Sequence, residues 1–155
     1  MSEKKPLINF IYSTKKWKDI GPLLKEEMTL ALEAAAQALN CDFSQREVSI
    51  VLTSDAEVQS LNKSFRHQDK PTNVLSFPSS ESDELGDIVL AYETVMKEAD
   101  DLGISPLHHT LHLIVHGFLH LLGYDHEDPV DAEKMETLEI QILKTLNIQN
   151  PYEDQ

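Results

Sequence analysis

Cysteine is almost missing from this chain. Cys41 stands alone, which excludes an internal disulfide and suits a reducing compartment. No partner motif surrounds it, so it is expected to pack near a helix end. Long apolar runs are missing as well. Nothing approaches the ~20 residues of a membrane span, so no membrane association is expected. The apolar run after Met1-Ser2-Glu3-Lys4-Lys5-Pro6 stops at Tyr12-Ser13-Thr14-Lys15, too soon for a secretory leader, and a cytoplasmic location is expected. Positive charge is scarce beyond residue 77. Positions 78–155 hold three Lys/Arg against seventeen Asp/Glu, whereas positions 1–77 balance ten against ten. The net charge of −14 therefore lies in the C-terminal half, and a polyanion can approach only the side carrying Lys63, Arg66 and Lys70.

What is present reads as one domain over residues 1–155, with no internal repeat and no linker. Leu7 to Tyr12 and Val48 to Leu52 are β-branched and apolar, and read as strands. Between them, Leu23, Leu24, Met28, Ala31, Leu32, Ala35 and Leu39 recur at helical spacing after Pro22. Ser54 or Asp55 caps a helix with Val58, Leu61 and Phe65 as its apolar stripe. Val74 to Phe77 form a short strand between Pro71 and Pro78, and bracketing prolines place it at a sheet edge. Ser79 to Glu84 make a polar loop, Leu85 to Ala91 a fourth strand, and Glu93 to Asp101 a helix ended by Gly103. Pro106 opens the next helix; the last runs from Val130 to Leu146, with Met135, Leu138, Ile142 and Leu146 buried. The expected fold is α+β: a small mixed four-stranded sheet with an antiparallel edge strand, surrounded by helices. Leu111, Leu113, Ile114, Val115, Leu119, Leu121 and Leu122 make the helix after Pro106 apolar nearly all round, so it should lie at the centre, beneath the sheet.

That central helix carries histidines. His116 and His120 are one helical turn apart on one face, and Gly123 then ends the helix in a left-handed residue, so that His126 can return to the same point. Three imidazoles that leave a fourth tetrahedral position open are the pattern of a catalytic zinc site, one Zn²⁺ per chain. Iron, nickel or manganese can occupy the same donors. His112, one turn before His116, reads as a neighbour of the metal, a substrate-facing group or simply a histidine at the cleft wall, and His108 and His109 as solvated surface. Asp125 can orient a ligand histidine or cap its turn.

The spacing of His116, His120, Gly123 and His126 is similar to the metzincin signature H-E-x-x-H-x-x-G-x-x-H, but Gly117 stands where those proteases keep their glutamate base. A closer resemblance is to the YbeY family, bacterial zinc-dependent endoribonucleases of rRNA maturation. His116-Gly-x-Leu-His120-Leu-x-Gly123-Tyr124-Asp125-His126 carries it, together with Leu61-Asn62 through Phe65-Arg66, Asp69 through Pro78, and Gly86-Asp87-Ile88. Asn73 departs from that family's frequent Asp. The resemblance implies His116, His120 and His126 as metal ligands and Arg66 as the functional arginine, with Arg66 and His116 the catalytic pair. It also implies single-stranded RNA as substrate, 16S rRNA 3′-end maturation and ribosome quality control as the setting, and the small ribosomal subunit and ribosome-biogenesis proteins as partners. Lys63, Lys70 and His112 are the expected substrate contacts.

Arg66 suits a phosphate because its guanidinium is a rigid, permanently charged fork, and it is one of only two arginines. The ion would act as a Lewis acid on a phosphate oxygen or acidify a water. Two other readings stand beside this one: another metallohydrolase such as a metalloendopeptidase, and a non-catalytic, metal-stabilised ribosome-associated factor. Gly117→Glu, restoring the missing base, is the substitution that separates nuclease from peptidase.

Overall fold

A computed structural model describes residues 7–40, 42–125 and 127–152 of the chain. Four strands, β1 (Leu7–Tyr12), β2 (Glu47–Thr53), β3 (Val74–Pro78) and β4 (Glu84–Ala91), form one sheet in the order β1-β2-β4-β3. β1, β2 and β4 are parallel, and β3 runs antiparallel to β4 at the edge, from Val74 opposite Leu90 to Pro78 opposite Gly86. Pro71, before β3, and Pro78, its last residue, thus sit at an edge where no further strand is needed. Cys41, whose packing was expected near a helix end, lies outside the described residues.

Among the described residues five α-helices surround the sheet: α1 (Leu24–Leu39), α2 (Asp55–Arg66), α3 (Tyr92–Leu102), α4 (Pro106–Leu121) and α5 (Pro129–Thr145). α2 covers one face, where Val58 meets Leu75, Val89 and Ala91. The main core fills the other face, with Ile50, Leu52, Ile88 and Leu90 of the sheet against α1, α4 and α5. α4 touches β3, β4, α1, α3 and α5, so it is the central helix that its all-round apolar surface requires. Leu111, Ile114, Phe118 and Leu119 are at most 2% exposed, and burial of each contributes about 1.5–3 kcal/mol. Among the described residues, no helix is long and apolar enough to cross a membrane.

Local chemistry sets the element ends. Ser54 caps α2 by accepting from the Glu57 amide, while Asp55 accepts from the Thr94 amide and hydroxyl at 2.9 and 2.8 Å and so ties α2 to the start of α3. Ser105 caps α4 with Pro106 in its first turn, and Asp128 caps α5 ahead of Pro129.

One element was not foreseen and two expectations change. The segment Lys15–Ile20 is a 3-10 helix, in which fully buried Trp17 donates its Nε1–H to the Thr53 carbonyl at 2.8 Å and packs edge-on to Tyr92. Phe65 does not complete the buried stripe of α2; it is 66% exposed, since β3 is the edge and no strand lies beyond to receive it. His109 is buried rather than solvated, its Nε2 bonded to Glu98 at 2.8 Å across the α3–α4 contact.

Candidate active site

A cleft of about 740 Å³ follows the outer edge of β3. One wall is the end of α2 and the loop after it, with Asn62, Arg66, Gln68 and Lys70. The other wall is α4 and its C-terminal turn, with His116, His120, Gly123, Tyr124 and Asp125; Val74 to Ser76 form the floor.

The two walls are fixed by different means. α4 approaches the sheet closely because position 117 is glycine: a Cβ there would stand 2.9 Å from Ile88 Cγ2 and 3.0 Å from Ser76 Oγ. The Ser76 hydroxyl donates to the Gly117 carbonyl at 3.1 Å, pinning the helix to β3. The helix then ends as its sequence requires. Gly123 takes φ +97°, the Gly123 amide donates to His120 and the Tyr124 amide to Leu119, which closes a Schellman turn and brings Tyr124 and Asp125 back over the cleft. On the other wall, buried Asn62 donates to the Lys70 carbonyl at 3.0 Å and its own carbonyl accepts from the Gln68 amide, so the loop carrying Lys70 is held against α2.

His116 and His120 point their Nε2 atoms at the same spot, 3.1 Å apart, with their rings nearly perpendicular. Two imidazole nitrogens on one tetrahedral zinc, each at ~2.0–2.1 Å, stand roughly 3.3 Å apart. The pair therefore has very nearly the bite of a metal ion, and the same spacing also suits an N–H···N hydrogen bond between the two rings. His126, the third expected ligand, lies outside the described residues. Among the described residues, no group of three or more His, Cys, Asp or Glu side chains is arranged to hold a metal ion.

Behind His116 stands a carboxylate that the sequence reading passed over. Glu139 of α5 has no exposed surface, and its side chain receives three donors: His112 Nε2–H at 2.7 Å, Tyr152 O–H at 2.9 Å and, at a longer 3.3 Å, His116 Nδ1–H. Burial alone would push this carboxyl up. The hydrogen bonds and charge of His112 and His116 outweigh it and hold the group down at about 2. Tyr152, half-buried against the same carboxylate, is pushed well above the ordinary phenol range by burial and by Glu139. With Nδ1 of His116 committed to Glu139, its Nε2 is the atom presented to the cleft, the arrangement that orients imidazoles toward metals. The two described imidazoles thus fit neighbouring positions on a divalent ion.

Arg66, the last residue of α2, faces the histidines across the cleft; its Nη2–H donates to the Ser76 carbonyl at 2.9 Å and its guanidinium lies 5.6 Å over the Phe77 ring. The pairing of Asn73 with Ala91 and of Ser79 with Leu85 turns the main-chain groups of Val74 and Ser76 to the open edge, and Arg66 covers one of them. Lys70 lines the cleft. Lys63 does not; it is exposed one turn earlier, with Nζ 4.0 Å from Asp69. His112 does not meet the cleft either. The expectation that it contacts substrate gives way to a place against α5, because its ring is drawn to buried Glu139.

A model of the family described as endoribonuclease YbeY matches residues 11–147. The chain belongs to the YbeY family. A relative called endoribonuclease YbeY from Rhodopseudomonas palustris (strain HaA2) is 49% identical, over 81% of this chain and 71% of its own length. Its namesake from Sphingopyxis alaskensis is 54% identical over 70% and 73%. A solution structure of a Thermotoga maritima protein shares the fold with a TM-score of 0.57 and 29% identity, over 96% of this chain and 97% of that one.

Within this YbeY chain the missing protease glutamate has a packing explanation. Any side chain at 117 would drive into Ile88 and Ser76, so Gly117→Glu perturbs the α4–sheet contact before it tests a base, and does not separate nuclease from peptidase. Glu139 was legible in one respect: it falls in line with Met135, Ile142 and Leu143 on the buried face of α5, where an acid needs partners.

Proposed function

We propose that the chain is a zinc-dependent endoribonuclease of the cytoplasm that cuts single-stranded RNA, acting in 16S rRNA 3′-end maturation and ribosome quality control. The small ribosomal subunit and ribosome-biogenesis proteins are its partners in this reading. The observation that carries it is one cleft lined both by the convergent Nε2 atoms of His116 and His120 and by Arg66. Family membership supports it, since the relatives are called endoribonucleases.

His116, His120 and His126 are the residues that would hold the ion, and a bound divalent ion supplies Lewis acidity toward a phosphate oxygen and an acidified water. Arg66 binds the scissile phosphate by exchanging its bond to the Ser76 carbonyl for a charge-assisted one, and it faces the negative charge that develops there. Glu139 keeps His116 in the tautomer that presents Nε2. Lys70 adds a second positive charge on the same wall. With so few cations on a chain of net charge −14, RNA binding should be weak and steeply salt-sensitive, and docking on the ribosome supplies the rest of the specificity. A peptidase reading is disfavoured because position 117 has no room for the base.

Cleavage of a single-stranded 16S 3′-end RNA and of its duplex form, by wild type, Arg66→Ala and His120→Ala, tests the assignment. The single strand should be cut at full rate by wild type alone. Equal cleavage by all three proteins would remove both residues from the site.

A further inference from the structure

We propose that Phe65 and Phe77 form a stacking platform for an unpaired base of the RNA, next to the phosphate that Arg66 receives. The inference rests on the endoribonuclease reading above and adds a subsite to it. Phe65 is a large apolar side chain left 66% in solvent at the end of α2. Its ring meets that of Phe77 edge-to-face, with centroids 5.7 Å apart and planes at 68°. Phe77 is half-buried and anchored on the Val58, Leu75 and Val89 cluster, and so gives exposed Phe65 a fixed ring to pack against.

Arg66 joins this surface to the cleft. Its guanidinium lies over Phe77 while its Nη2–H reaches Ser76, so the same residue borders the aromatic pair and the histidine wall. On the far side of Phe77 a smaller cavity is lined by Glu47, Glu84 and Asp87. That acidic surface repels phosphates, whereas Arg66 attracts them. A nucleotide entering here is therefore orientated: the phosphate stays on the arginine side, and the uncharged base, with its π-face, settles on the rings. Bases in a duplex are already stacked and cannot do this, so the platform also selects single strands.

Phe65→Ala should keep the wild-type fold and kcat but raise KM for a single-stranded RNA oligonucleotide about five- to a hundredfold, the loss of one base–aromatic stack. Phe65→Trp should restore KM. An abasic nucleotide beside the cut should raise KM for wild type by a similar factor and have little further effect on Phe65→Ala. If wild type cleaves and Phe65→Ala shows an unchanged KM, the platform is wrong while the endoribonuclease reading stands. If wild type neither binds nor cleaves the oligonucleotide, both fall together.

Discussion

Glu139→Gln removes one charge and one acceptor oxygen from a group that accepts three hydrogen bonds with no exposed surface. Glutamine has a single carbonyl oxygen, and its NH₂ can only donate, so either His112 or His116 loses its acceptor and meets a second donor. A buried donor left without a partner costs about 1–3 kcal/mol. The titration of the wild-type carboxyl gives a consistent scale. Its displacement from the ordinary 4.5 to about 2 amounts to about 3 kcal/mol in favour of the ionised form. Because the folded carboxyl titrates below the unfolded one, this stabilisation is complete above pH 4.5 and is lost as the pH falls toward about 2. Urea denaturation should show Glu139→Gln less stable by about 1–3 kcal/mol at pH 7, with a flatter acid limb between pH 4.5 and 2 than wild type. Once the hold on His116 Nδ1 is disturbed, zinc affinity, read by competition with a chromogenic chelator, should fall about 10–100-fold. Wild-type zinc affinity together with an unchanged denaturation midpoint would refute the orienting role.

Other substitutions probe separate parts of the account. Gly117→Ala places a methyl group 2.9 Å from Ile88 and should cost about 1–3 kcal/mol in chemical denaturation; an unchanged midpoint would mean that α4 is not seated as described. Arg66→Ala should lower cleavage by about 10²–10³-fold while leaving the melting temperature near wild type, since the side chain is on the surface. Trp17→Phe breaks the bond to the Thr53 carbonyl, a loss of about 0.5–1.5 kcal/mol measurable by thermal melting.

The parts of this structure that were legible in the sequence are those set by local rules. Pro106 at the start of α4, Gly123 in the left-handed region, and the prolines around Val74–Phe77 each act within a few residues, and each appears where it was read. The His116–His120 pair was legible for the same reason, since a helical turn fixes their relation. What was not legible depends on which elements meet. Glu139 and Tyr152 join His112 only because α5 and the C-terminal segment fold back on α4. His109 is buried because α3 brings Glu98 to it, and Phe65 is exposed because the sheet ends at β3. Trp17 organises a 3-10 helix through a carbonyl 36 positions away. None of these relations has a sequence period.

Dependence of RNA cleavage on one metal ion in the His116, His120 and His126 site underlies the proposed function. It is tested most directly by following cleavage of a single-stranded 16S 3′-end oligonucleotide through chelation and zinc re-addition on untagged protein. The account predicts that activity vanishes on chelation and returns in full with about one equivalent of zinc per chain. Cleavage that survives complete removal of metal would contradict it.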